Sequence, residues 1–561
     1  MRRKITRRRF LGEASCAAVG SASLFSTLLN MKMVNAIAKH DAMTADNGIA
    51  LNETAEGEAD DYKALICLFL AGGNDSFNML VPTGSAEYAE YKTVRSDLAL
   101  SQATLLPLKD SATDGRTFGV HPSMPEVQQL YNNDNLAFVA NVGTLVEPTT
   151  KQGFESGAAN LPVGLFSHID QIAHWQTSVP DKRTSIGWGG RTADLLKSLN
   201  TNQDISMNIS LSGTNTFQAG TTMVDYAIEP HGNGSLGIHG FDYPRGALDV
   251  LKKSALESML DLEYRNLFEQ TFVNTTRTAL NNHTQFSSAI ASIPTFTTQF
   301  SPNPISQSFQ MVAKTIAARQ SLGFKRQTFF ILFGGWDHHD EVLNNQLAML
   351  SVISKGLREF YDVLVELGVQ NKVTTFTASD FGRTLSSNGR GSDHAWGGNH
   401  MVMGGDVKGG QIYGNYPNLY VDNPLDVGRG SLIPTISCDE YFAELADWFG
   451  VARSDLSSVF PNIGRFYDTS ARNLPVGFMN RHTVPSDTPS TTPTPTATPL
   501  PGTVQTPEPT EVPKPEEPLE LPDKTHLPLI KNASGPLFPT TTGIIALTAG
   551  AVALRKRRTN G

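Results

Sequence analysis

Cysteine is nearly missing from this sequence. Three in 561 residues are too few for a disulfide framework, and no C-x-x-C or C-x-x-H spacing is present to build a thiolate metal site. Cys16 falls in an N-terminal leader; Cys67 and Cys438 lie in or beside apolar runs and read as buried, unpaired thiols. A basic excess is missing too: 45 Lys and Arg against 54 Asp and Glu leave a formal net charge of −9, so no global field argues for nucleic acid as a partner. Internal repeats are absent. A metal ion bound by this chain therefore has to be held by Asp and His.

The two ends have the composition of addresses rather than of a core. Residues 1–38 carry Thr6-Arg7-Arg8-Arg9-Phe10-Leu11, a modestly apolar stretch and Ala36-Ile37-Ala38, the pattern of a twin-arginine signal peptide with a small-residue cleavage site. Residues 39–61 are an acidic, polar lead-in. Residues 62–478 have the apolar content of a folded domain, and residues 479–535 are a Pro/Thr-rich linker that cannot form a core. Residues 536–558 join a marginal apolar span to Arg555-Lys556-Arg557-Arg558, read either as a membrane anchor with a cytoplasmic tail or as a sorting signal. Both readings put the domain in the periplasm or on the cell surface, exported by the twin-arginine machinery.

Within the domain, Tyr62–Leu70, Leu136–Val142, Thr328–Phe333 and Val373–Ala378 are apolar runs of strand length, as in a sheet buried on both faces. Asn208–Leu211 and Met401–Met403 are shorter strands. Ala247–Phe272, Phe309–Arg319 and Glu341–Leu367 have helical periodicity. The alternation predicts an α/β fold, a mostly parallel, doubly wound sheet flanked by helices.

Thr328–Gly414 concentrates the chemistry. Apolar runs there end in Asp337-His338-His339 and in Asp380, and Asp393-His394 follows a glycine-rich loop. Parallel strands deliver the residues at their C-terminal ends to one sheet edge, where Asp oxygens and His nitrogens together make a divalent-metal pattern. Asp75, after Gly72-Gly73 at the end of the first strand, is placed at the same edge; a turn or helix cap is its alternative role. Ser167 stands at or near the start of a helix running to Trp175, a capping position that also suits an anion or a nucleophile.

The combination Gly72-Gly73-Asn74-Asp75, Ser167-His168, Gly334-Gly335-Trp336-Asp337 with His339, Ser379-Asp380-Phe381-Gly382-Arg383-Thr384, and Asp393-His394 before Lys408-Gly409-Gly410 and Tyr413-Gly414 resembles the DUF1501 family of uncharacterised exported proteins, over about Tyr62 to Phe478. That family in turn resembles, distantly, the alkaline phosphatase and sulfatase superfamily. The resemblance implies an alkaline-phosphatase-like core, one or two divalent ions (Zn, Mn or Ca), and hydrolysis of a small anionic ester or a sulfated or phosphorylated polymer. By position it implies Asp75, Asp337, His339, Asp380 and His394 as metal ligands, Ser167 as nucleophile with Ser76 as rival, and Arg383 as a partner for the ester's oxygens. One departure stands out: Phe381 follows Asp380 where phosphatases have His, so a second ion would need His338, His400 or His121, or would be a harder ion. No sulfatase Cys/Ser-x-Pro-x-Arg signature is present. A non-catalytic surface-binding protein on the same fold is the alternative.

Overall fold

The structure, a computed structural model, describes residues 61–480 apart from 110–114, 239–240, 242–243 and 472. The leader, the Pro/Thr-rich linker and the C-terminal apolar segment lie outside the described residues. Among the described residues no helix is long and apolar enough to cross a membrane.

The strands in chain order are β1 (Lys63–Ala71), β2 (Leu80–Pro82), β3 (Leu106–Pro107), β4 (Phe118–Val120), β5 (Leu136–Gly143), β6 (Asn208–Ser210), β7 (Tyr226–Ala227), β8 (Arg326–Gly334), β9 (Val373–Ser379), β10 (Gly398–Met403), β11 (Ile412–Tyr413) and β12 (Ile436–Ser437). Nine of them form one sheet in the order β11-β5-β10-β9-β1-β8-β6-β7, with β12 also on β5; β2, β4 and β3 form a small separate sheet. Neighbours in the large sheet pair in parallel except at β10, which runs against both β5 and β9. The apolar content of β1, β5 and β9 follows from this position: every residue of β5 and β9, and all but the ends of β1, is buried, as central strands covered on both faces require.

Two groups of helices flank the sheet. Pro125–Asn132, Pro304–Ala317 and Val342–Glu366 pack on one another, with Phe309 stacked on Phe360 at 4.7 Å. His168–Thr177, Trp188–Leu196 and Cys438–Phe449 belong to the other group, held by Trp188, which stacks on Phe442 at 4.6 Å and meets Phe217 at 4.8 Å. Cys67 and Cys438 are buried and free. The expected helical stretch Ala247–Phe272 is instead two elements, Ala247–Leu260 and Leu267–Ala291. Asn266 caps the second by accepting from the Phe268 amide at 2.9 Å, and an Asn cap of that kind starts a new helix rather than continuing an old one.

Register brings the chemistry together. Ala71 of β1 lies opposite Gly334 of β8, and Leu70 opposite Ser379 of β9, so the residues after all three strands emerge at one edge. Gly72 makes the close approach work: its φ is +120°, and a Cβ there would lie 2.4 Å from the Asp337 amide nitrogen. Any other residue would push the Asp337 loop away.

Candidate metal centre

Asp337 follows β8 and is partly exposed. Arg383, with no exposed side-chain surface, donates to its Oδ1 at 2.5 Å. Burial alone would raise the Asp337 pKa, but the Arg383 hydrogen bond and charge outweigh it and hold the carboxyl below its ordinary value. Asp337 is thus a fixed anion whose second oxygen remains for another partner.

Three imidazoles face it. His168 opens the helix His168–Thr177, His339 lies two residues beyond Asp337, and His394 sits on the tight return between β9 and β10, bridged to Arg383. Each ring has one nitrogen engaged away from the cluster. His168 Nδ1 donates to Asp380 Oδ2 at 2.7 Å, His339 Nδ1 to Asp393 Oδ1 at 2.9 Å, and His394 Nδ1 to the Phe166 carbonyl at 2.9 Å. Phe166 presents that carbonyl from a left-handed backbone, φ +74°, a conformation bulky residues seldom adopt.

The three remaining nitrogens converge. His394 Nε2 lies 2.9 Å from His168 Nε2 and 2.9 Å from His339 Nε2. The Asp337 oxygens lie 3.0 Å from His339, 3.4 Å from His168 and 3.4 Å from His394. Donor atoms on a tetrahedral zinc ion with bonds of about 2.0–2.1 Å stand roughly 3.3 Å apart, close to the spacing among the His168 and His394 nitrogens and the Asp337 oxygens. His168, Asp337 and His394 form a group that can hold a metal ion, and His339 Nε2 borders it.

Charge in the surroundings is arranged to suit. The Asp380 hydrogen bond, reinforced by the Asp380 and Asp337 charges, raises the His168 pKa in spite of burial, whereas burial lowers that of His394. Asp393, although burial pushes it up, is held at about 2 by Asn388, His339 and Arg429. It therefore stays an acceptor for the His339 ring proton.

The structure places the other expected site residues elsewhere. Asp75 is fully buried in an ion pair with Arg95 at 2.6 Å, also buried, and takes a hydrogen bond from Ser392 at 2.8 Å; its carboxylate is matched by a guanidinium rather than by the imidazoles. Asp380 is buried too, accepting from the Gly72 amide at 3.0 Å and from His168 at 2.7 Å, so it orients the His168 ring. Arg383 cannot meet a ligand from solvent: its other donors go to the carbonyls of Gly73, Gly72, Trp336 and Ser392. Ser167 is the N-cap of its helix, with no side-chain capping hydrogen bond; beside it, Asp170 is engaged by Arg183 at 2.7 Å. Ser76 is buried, donated to by the Asn399 amide. None of the three alternative imidazoles joins the cluster. His400 is buried between Trp175 and Tyr441, His121 bonds Ser123, and His338 packs on Trp336. His168 itself was not expected as a ligand; its only sequence signal is its place after Ser167 in the shared Ser-His pair.

A family model described as a protein of unknown function, DUF1501, matches residues 62–428. The chain belongs to the DUF1501 family. No curated protein matches it. Among solved structures it is similar to Ps i-CgsB in complex with k-i-k-neocarrahexaose, at 10% identity over 69% of this chain and 72% of that one, TM-score 0.28. Ps i-CgsB alone gives 11% identity over 72% and 77%, TM-score 0.29. A Bacteroides thetaiotaomicron protein of a locus for metabolism of multiple glycosaminoglycans, BT33494S-sulf, gives 10% over 73% and 78%, TM-score 0.30. Scores of this size place no chemistry on a DUF1501 chain; the chemistry has to come from its own cluster.

Proposed function

We propose that this DUF1501 protein is an exported, metal-dependent hydrolase of phosphate or sulfate esters. One observation carries the reading: His168 and His394, each with Nδ1 tied to an acceptor, set their Nε2 atoms 2.9 Å apart beside the fixed Asp337 carboxylate, with His339 bordering the group. Carboxylate- and carbonyl-anchored histidines are how proteins set the tautomer and direction of a metal ligand. A divalent ion there supplies Lewis-acid chemistry toward an ester oxygen. Zinc suits the three nitrogens best, with manganese second; calcium prefers an all-oxygen shell.

The chain's own residues supply the rest. His168, His339, His394 and Asp337 hold the ion; Asp380, Asp393, the Phe166 carbonyl and Arg383 position them. Arg429, half exposed and 2.5 Å from Asp393, is the guanidinium placed to meet an anionic ester, in the role first expected of Arg383. Water is the attacking group in this reading, because Asp170, the carboxylate in the first turn after Ser167, is itself paired with Arg183 at 2.7 Å. Its pKa is lowered chiefly by that Arg183 bond, which makes Asp170 a poor proton acceptor. Export to the periplasm or cell surface rests on the leader motif.

The test is turnover of aryl phosphate and aryl sulfate esters by the purified protein, before and after chelation and with Zn, Mn or Ca restored. Turnover that disappears on chelation, returns with one ion and is missing from Asp337→Ala supports the reading. Bound metal with no turnover on either ester class favours a binding protein instead.

A further inference from the structure

The helix Ala247–Leu260 buries one residue, Leu260. The helix Leu267–Ala291 buries Val273, Asn282, Phe286, Ala289 and Ile290, nearly all in its second half. The two first turns and the linking turn therefore form an arm that its own body does not cover. Leu248, Leu251, Met259, Leu262, Phe268 and Phe272 are 51–66% exposed on it. The two helices bury Leu260 and Val273 where they meet at the linking turn, beside a cleft of about 360 Å³; the six apolar residues named above stay outside that contact. Leu248, Leu251, Ala255 and Met259 recur at three- and four-residue spacing along the first helix, the seam of a helix that packs along another helix.

We infer that this arm docks against the same arm of a second copy, the two hairpins making a four-helix bundle around a two-fold axis. It rests on these surfaces alone and is independent of the hydrolase reading. The six side chains expose about 700 Å² of surface per copy, close to the roughly 800 Å² per partner of a stable interface and more than a monomer ordinarily leaves to water. Charge selects the occupant. From Arg245 to Arg277 there are five basic and five acidic residues, and Lys253 faces Glu257 one turn on. A neutral, mixed arm does not repel its copy, whereas a helix lying on an anionic membrane carries a Lys/Arg-rich polar face. Bundles of two helical hairpins bury such seams between copies.

The experiment is sedimentation equilibrium of the full chain, wild type beside Leu251→Glu/Phe268→Glu, with thermal unfolding and metal content measured on both. The expected result is a dimer whose dissociation constant rises about a hundredfold or more in the variant. Unfolding temperature at a concentration where both are monomeric, and bound metal, stay the same because both side chains are exposed. A wild-type monomer at all concentrations, or a dimer unaffected by the double change, overturns the inference. So does lysine cross-linking that joins Lys252 or Lys253 only to residues 481–561 of the same chain, or pelleting of wild type with phosphatidylglycerol vesicles through the arm.

Discussion

His168 and His394 set their Nε2 atoms 2.9 Å apart while each ring's Nδ1 donates elsewhere, to Asp380 and to the Phe166 carbonyl. Two neutral imidazoles in those tautomers face each other lone pair to lone pair, an arrangement that a metal ion or a shared proton between them relieves. Asp337 adds Oδ2 at 3.4 Å from His168 and Oδ1 at 3.4 Å from His394.

Removing the anchor of a ligand weakens the site without removing a donor. Asp380→Asn keeps the shape and loses the charge that holds the His168 proton on Nδ1. Metal affinity, measured by competition with a chelating dye, should fall by about 10–100-fold, the usual effect of losing a carboxylate behind a ligating His. Unchanged affinity would mean that Asp380 only packs.

Arg383 and Arg429 should behave differently. Arg383 is fully buried with four carbonyl partners, so Arg383→Met leaves those acceptors without their donor and should cost about 3 kcal/mol or more of stability, read from denaturant unfolding. Arg429 is half exposed; Arg429→Ala should cost under about 1 kcal/mol and instead raise KM for an anionic ester with kcat little changed. The reverse pattern would restore Arg383 as the substrate-facing cation.

Ser167→Ala separates the two possible attacking groups. With Asp170 already paired with Arg183, the variant should keep kcat within a few-fold of wild type. A fall of about a thousandfold or more, or a covalent adduct trapped on Ser167, would return the nucleophile to the position the family resemblance implied.

The strands were legible because burial on both faces leaves a continuous apolar run, and β1, β5, β8 and β9 begin and end within one or two residues of those runs. β10 was legible as a strand. Its direction follows from its connection: residues 380–397 contain no helix, and a parallel neighbour needs a crossover of the βαβ kind. In the site, Asp337, His339 and His394 follow the strand-end and loop pattern. Asp75 obeyed that pattern too, but its fate depends on Arg95, twenty residues on in another helix, and such a pairing has no local signal. His168 arrives from a helix start rather than a strand end; at that helix start the sequence drew attention to its neighbour Ser167, a capping residue and, by the family resemblance, a nucleophile.

His400 gives the fold a pH dependence away from the cluster. Burial lowers its pKa from the ordinary 6.5 to about 3, so the unfolded chain binds a proton there that the folded chain does not. The stability this represents is complete above about pH 6.5 and is lost as pH falls toward 3, at up to about 1.4 kcal/mol per pH unit. His400→Gln should be less stable than wild type at pH 7, and the gap in unfolding temperature should narrow on acidification. A gap that stays constant from pH 7 to 4 would contradict it.

The most direct measurement is metal content by inductively coupled plasma mass spectrometry on purified wild type and His168→Ala, each incubated with zinc and then desalted. One ion per wild-type chain and a large loss in His168→Ala are expected, because His168 supplies one nitrogen of the group that can hold a metal. A well-folded wild type that retains no ion, or a His168→Ala protein that retains as much as wild type, would overturn the site.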